Sequence, residues 1–143
     1  MIDVKIVGAE ALSANGLNKN EIFTSCLNGQ SAVNTNGLAP ISDSSWQFLA
    51  DSINLHDSKM SRCLIASTYC LNEAIKNANW SAADLADCGF IFSTTTSQID
   101  KWQNSLPFCY MKDLTSEQIA DATRYQSLGL TLVELKKKFN IIG

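Results

Sequence analysis

Only two stretches of this chain read as β-strand, and they lie at opposite ends of a long helix-patterned interior. The first is residues 1–8, where Ile2, Val4, Ile6 and Val7 form a β-branched run that stops at Gly8. The second is Gly89-Phe90-Ile91-Phe92, an apolar run closed by Ser93-Thr94-Thr95-Thr96-Ser97. Alternation of strand and helix predicts an α/β layer fold, yet a typical sheet has about five or six strands. Two strands cannot cover helices on both faces. The expected architecture is therefore α/β, with helices packed on an incomplete mixed sheet whose other strands lie elsewhere. Residues 1–143 read as one domain and as part of a larger architecture, and the apolar ending Ile141-Ile142-Gly143 fits that expectation.

Helix signals fill most of the remainder. Asn18 opens a helix as N-cap, with Glu21 in the capping-box position and Ile22, Phe23, Cys26 and Leu27 as its apolar stripe. Gly29 supplies the stop. Residues 30–57 are punctuated by Ser, Asn, Gly and Pro40 and read as loops with at most brief strands. Ser58 caps the clearest helix, residues 59–79, in which Met60, Leu64, Ser67, Leu71, Ala74, Ile75 and Ala78 share a face. Ser81 with Asp84 starts a short helix through Asp87, and residues 98–106 form another that Pro107 interrupts. Thr115 with Gln118 opens a further helix with Ile119, Ala122 and Tyr125 facing inward. Gly129 breaks it before Leu132, Leu135 and Phe139 continue the stripe.

Composition excludes several classes. Eleven Lys and Arg against 14 Asp and Glu give a net charge of −3, and the longest basic run is Lys136-Lys137-Lys138. That run suits the negative end of its helix dipole and is no footprint for nucleic acid or anionic lipid. The apolar run at the start is too short for a spanning helix or a leader, so neither membrane nor export is expected. Five cysteines, Cys26, Cys63, Cys70, Cys88 and Cys109, are widely spread without a C-x-x-C pair, and His56 is the only histidine. No metal site is expected from that set. The cysteines read as small core-filling thiols in a reducing, cytoplasmic setting. Asn79-Trp80-Ser81 spells a glycosylation acceptor and reads as chance, because no leader is expected.

No catalytic constellation emerges from the residues themselves. Gly8-Ala9-Glu10-Ala11-Leu12-Ser13 follows a strand, but Glu10 stands where a dinucleotide fingerprint needs glycine and would repel a pyrophosphate. The hydroxyl run at residues 93–97 reads as a polar strand-to-helix turn with Ser97 as N-cap; the alternative is a small anion site. His56 sits beside Asp57 in a polar loop and reads as solvated.

Five segments in order resemble one family. Val4-Lys5-Ile6-Val7-Gly8-Ala9-Glu10-Ala11-Leu12-Ser13-Ala14-Asn15-Gly16 resembles the opening V-x-I-T-G-x-G-x-x-S-P-x-G of β-ketoacyl synthases. Glu21-Ile22-Phe23-Thr24-Ser25-Cys26-Leu27-Asn28-Gly29-Gln30-Ser31-Ala32-Val33 is similar to their E-x-W-x-x-L-x-x-G-x-S-x-I segment, with Phe23 for the tryptophan. Met60-Ser61-Arg62 resembles the head of the family's M-x-R helix, and Cys88-Gly89-Phe90-Ile91-Phe92 sits where its next strand belongs. Leu135-Lys136-Lys137-Lys138-Phe139-Asn140-Ile141-Ile142-Gly143 resembles the approach to L-x-G-P. The likeness covers essentially the whole chain but only about the first third of the family's catalytic unit.

The resemblance implies the N-terminal half of a thiolase-like fold and a place in fatty-acid or polyketide biosynthesis. Its chemistry is decarboxylative condensation on acyl-carrier-protein thioesters by a cysteine nucleophile and two histidines. In the family that cysteine lies in a T-A-C-x-x-G turn just beyond the point where this chain stops, and both histidines come later. Cys88, Cys109 and His56 match none of them, so no catalytic, cofactor or metal residue is assigned. Glu10, Ala14 and the run at residues 93–97 replace the family's second glycine, its proline and its glycine-rich turn. The expected partners are acyl carrier protein and the remaining ketosynthase half, or a homologous subunit in a dimer. The alternatives are a non-catalytic, chain-length-factor-like partner subunit and an unrelated small α/β domain binding an anion.

Overall fold

Local capping chemistry sets where the helices begin. The computed structural model describes residues 3–55, 60–95, 98–102, 114–124 and 127–142. Helix α1 (Lys19–Leu27) starts at the expected cap: Asn18 Oδ1 accepts the backbone N–H of Asn20 at 3.1 Å and of Glu21 at 2.9 Å. Glu21 reaches back, but to the N–H of Leu17 at 2.8 Å rather than to that of the cap residue. Helix α2 (Asp43–Ser52) occupies a stretch expected to be loop. Ser42 Oγ caps it by accepting the Ser45 N–H at 3.1 Å. Helix α3 (Arg62–Ala78) begins three residues after the expected Lys59. Ser61 Oγ accepts the Leu64 N–H at 3.1 Å, and the Asp100 carboxylate accepts the Arg62 N–H at 2.8 Å. Those two oxygens satisfy donors that a helix start leaves open, so the start is fixed there. Ser58 and Lys59 lie outside the described residues.

Helix α4 (Ala82–Ala86) carries the complete Ser81–Asp84 capping box. Helix α5 (Ile99–Trp102) is short, and the rest of the helix expected there lies outside the described residues. Helix α6 (Ser116–Arg124) shows its predicted box: the Gln118 N–H donates to Thr115 Oγ1 at 3.2 Å and the Thr115 N–H to Gln118 Oε1 at 2.9 Å. Helix α7 (Leu130–Phe139) follows the Gly129 break.

Four of these helices stop in the same way. A residue in the left-handed region follows α1, α2, α3 and α7: Gly29 (φ 63°), Asn54 (53°), Asn79 (55°) and Asn140 (53°). The next N–H then bonds the carbonyl five residues back, in Gln30 to Ser25, Leu55 to Ala50, Trp80 to Ile75 and Ile141 to Lys136. This is the Schellman arrangement, which satisfies carbonyls at a helix end. Asparagine serves three of the four because its short side chain tolerates that backbone better than other non-glycine residues do.

The chain divides into two compact units. One comprises Met1–His56 with Ile65–Trp80, the other Asp57–Leu64 with Ser81–Gly143. In the first, Leu49 and Ala50 of α2 and its C-cap residue Ile53 are the buried apolar side chains among the described residues, and Thr68 of α3 is fully buried. In the second, Leu64, Leu135 and Ile141 are buried, and Gln98 Nε2 donates to Thr131 Oγ1 at 3.3 Å inside the core. Burying a leucine fully contributes roughly 1.5–3 kcal/mol, so each of these side chains stabilises its unit substantially. One stripe and one further residue face differently from expectation, and Tyr125 lies outside the described residues. Phe23 and Leu27 of α1 are exposed, while Ile22 and Ser25 turn inward, and Ile119 of α6 is also exposed.

Neither strand-like run has a ladder among the described residues. Among the described residues the only β-pairing is an isolated bridge between Ser13 and Gly16. Val4 is 86% exposed, Ile6 91% and Ile91 95%. β-Branched sequence makes a strand only when a neighbouring strand takes its hydrogen bonds. No helix among the described residues is long and apolar enough to cross a membrane.

Two features of this frame lead to direct tests. Thr68 Oγ1 is buried and has no hydrogen-bond partner among the described residues. An unsatisfied buried hydroxyl is costly, so Thr68→Val is expected to raise the unfolding free energy by about 1 kcal/mol in urea titrations. At α4, hydrogen bonds from the Ser81 hydroxyl and then its backbone N–H hold the Asp84 carboxyl below its ordinary 3.8. The ionised form is favoured in the folded chain, so this contribution is full above the ordinary value. It is lost as pH falls through the lower folded value. A carboxyl NMR titration is expected to find the Asp84 midpoint below 3.8 and to return it towards 3.8 in Ser81→Ala.

Candidate functional site

The densest non-local bonding in the first unit gathers around residues 8–19. Gly8 lies directly on α3: a Cβ there would collide with the Ala74 carbonyl oxygen and lie 2.9 Å from Ala78 Cβ. The next carbonyl, Ala9, accepts from Lys19 Nζ at 2.8 Å and from Asn77 Nδ2 at 3.2 Å, tying the loop to both α1 and α3. Glu10 then turns inward, and its Oε1 accepts the N–H of Lys19 at 2.6 Å and of Ala11 at 2.9 Å. Its carboxylate thereby lies at the α1 N-terminus, where the helix dipole favours negative charge.

Asn15 ties the same loop to the segment after α1. Its Oδ1 accepts the Ala32 N–H at 2.6 Å, its Nδ2 donates to the Gln30 carbonyl at 3.4 Å, and its own carbonyl accepts Ser25 Oγ at 2.8 Å. Ser13 and Gly16 exchange backbone hydrogen bonds at 2.8 and 3.2 Å. Gly16 has no room for a side chain, since a Cβ would lie 2.6 Å from Glu21 Cβ.

Two depressions border this loop. One, of about 500 Å³, is lined by Ala14, Asn15, Ser25, Gln30, Ser31 and Ala32. The other, of about 240 Å³, lies between residues 13–17 and Pro40, Ile41, Ser42 and Ser45. Both linings offer hydroxyls and amides, groups that hydrogen-bond but do not exchange protons near neutral pH. Nearby in the same unit, burial and then Glu73, Glu10, Cys70 and Glu21 push the Tyr69 hydroxyl above its ordinary 10.0. Burial, followed by Glu10, likewise raises the Cys70 thiol above 9.0. Both groups are therefore held in their protonated forms, which suits packing and disfavours a thiolate nucleophile. The stability they contribute is full below those ordinary values and is lost as pH rises through the higher folded ones.

The cysteines separate by position. Cys26 is exposed; Cys63, Cys70 and Cys88 are half-buried; all four are free thiols. Cys109, His56, Thr96 and Ser97 lie outside the described residues. Lys136, Lys137 and Lys138 occupy the last turn of α7, as the dipole reading expects. Among the described residues no group of three or more His, Cys, Asp or Glu side chains is placed to hold a metal ion. No spacing in the sequence marks the Glu10–Asn15–Lys19 node as a structural anchor. Its only signal was Glu10, conspicuous because it replaces a glycine. No family model, no curated protein and no solved structure matches this chain.

Proposed function

We propose that the chain is the N-terminal portion of a β-ketoacyl synthase-like protein. It holds no catalytic residue of its own and serves a condensing unit completed by further polypeptide. The observation that carries this reading is the pair of strand-like segments left open. Residues 4–7 are anchored at Gly8 and Ala9, yet Val4 and Ile6 are almost fully exposed, as is Ile91. Exposed β-branched runs of this kind are normally covered by neighbouring strands. The positions of the opening motif that match the family also have local reasons to be what they are. Gly8 and Gly16 sit where a side chain does not fit, and Ser13 forms the bridge to Gly16. Where the chain departs from the motif, Glu10 compensates by bonding the α1 N-terminus.

In the completed thiolase-like fold this portion supplies sheet strands, part of the acyl tunnel and contacts to a second subunit. The completing portion supplies the cysteine that takes the acyl group and the histidines that stabilise the enolate formed when the malonyl unit loses carbon dioxide. Acyl carrier protein delivers both thioesters, in the cytoplasm. The coding sequence downstream of Gly143, or the adjacent reading frame, is expected to encode T-A-C-x-x-G followed by two histidines. Neighbouring sequence without that nucleophile turn would contradict a role in a condensing enzyme.

A further inference from the structure

Three Asn-Gly dipeptides occur in the described residues, Asn15-Gly16, Asn28-Gly29 and Asn36-Gly37, and their surroundings differ sharply. We propose that Asn36 is a site of spontaneous deamidation, and that it converts faster than either of the other two. The reaction needs only water. The Gly37 backbone nitrogen attacks Asn36 Cγ, the Cγ–Nδ2 bond breaks, and Nδ2 leaves as ammonia with the proton from the Gly37 nitrogen. Water then opens the five-membered imide. Opening at Cγ gives aspartate, and opening at the former Asn36 backbone carbonyl gives isoaspartate. Glycine favours ring closure because no Cβ hinders the approach of its nitrogen.

The loop around Asn36 meets the requirements. Asn36 and Gly37 are both exposed, and the Asn36 side chain has no hydrogen bond among the described residues. A Cβ at Gly37 would meet nothing within 4 Å. The turn is closed by its own residues alone. Asn34 Oδ1 accepts the N–H of Asn36 and of Leu38, each at 3.0 Å. The Asn34 N–H donates to the Leu38 carbonyl at 2.7 Å and the Gly37 N–H to the Asn34 carbonyl at 3.0 Å. Releasing the Gly37 nitrogen therefore opens one short surface turn and disturbs no core contact.

Asn15 is the opposite case. Both ends of its amide are held, by Ala32 and Gln30, and Gly16 is wedged against the start of α1. Ring closure there must first undo bonds spanning 15 and 17 residues. Asn28 is intermediate: it is exposed at the α1 C-cap, but its N–H bonds Thr24 and that of Gly29 bonds Cys26, so the helix end must unwind. Conversion of Asn36 makes the chain one unit more negative than −3. The isoaspartate product also inserts a methylene into the backbone between Asn34 and Leu38, which breaks the register of that turn.

The test is incubation of the full chain at mildly alkaline pH, with peptide mapping by fragmentation mass spectrometry over time. In the folded chain Asn36 is expected to convert at least about tenfold faster than Asn15, with Asn28 between them. In denaturant the three rates converge to within about twofold, because only the folded structure distinguishes them. Asn36→Gln is expected to remove the fast phase and leave the two slower ones. Equal rates at Asn15 and Asn36 in the folded chain, or no conversion at Asn36, would overturn the assignment. Neither outcome bears on the ketosynthase reading, which rests on other residues.

Discussion

Leu49→Ala is expected to lower the unfolding free energy by about 3 kcal/mol, the largest single loss in the first unit. Leu49 is fully buried, and its buried apolar companions among the described residues of the unit, Ala50 on α2 and the C-cap residue Ile53, are too few to close the space it leaves. The cost combines lost transfer free energy with a term for the cavity that remains where a small core cannot collapse. Urea titration followed by tryptophan fluorescence reads the loss directly, because Trp46 lies one turn before Leu49 on the same helix. A loss below about 1 kcal/mol would mean that α2 is not the core of its unit.

Gly8→Ala is expected to cost about 1–3 kcal/mol, with larger residues costing more. The added methyl meets the Ala74 carbonyl oxygen, which is helix backbone and cannot rotate away, and Ala78 backbone N lies 3.0 Å from the same point. Relief requires lifting residues 8 and 9 off α3. That breaks the bonds by which Lys19 and Asn77 hold the Ala9 carbonyl. The substitution therefore loosens the one anchor that fixes where the exposed segment at residues 4–7 leaves the unit. A loss of amide-exchange protection at Lys19 together with the lower stability would locate the effect at that anchor. Unchanged stability would show that Gly8 and α3 do not meet as described.

The parts of this fold that were legible in the sequence are those set within four residues of themselves. Asn18, Ser81 with Asp84 and Thr115 with Gln118 each cap the helix that their spacing predicts, because donor and acceptor belong to one turn. Helix α2 departs from the loop expected there for an equally local reason. Ser42, Ser44 and Ser45 resemble loop, whereas Ser42 is the cap and Trp46, Leu49, Ala50 and Ile53 behind it carry the helical spacing. The start of α3 differs from the expected one because Asp100, 38 residues away, supplies one of its capping oxygens.

Strands are the reverse case. Residues 4–7 have the composition of a strand, but pairing is a property of two segments, and the described residues hold no ladder for them. The candidate site was invisible for the same reason. Asn15 reaches Gln30 and Ala32, and Ala9 is bonded by Asn77, 68 residues on, so no spacing rule announces the node. In sequence Glu10 reads only as a residue that would repel an anion, whereas in the structure its carboxylate bonds the first N–H of α1.

The most direct test of the central claim is amide hydrogen exchange at residues 4–7 and 90–92. It is measured on the chain alone and after adding a polypeptide that carries the remainder of a β-ketoacyl synthase catalytic unit. Alone, these amides are expected to exchange at rates close to those of a free peptide, since nothing in the described structure bonds them. With the completing polypeptide they are expected to slow by about a hundredfold or more, as sheet amides do. Protection already present in the chain alone, or none gained on mixing, would contradict the claim that these segments are strands awaiting a partner.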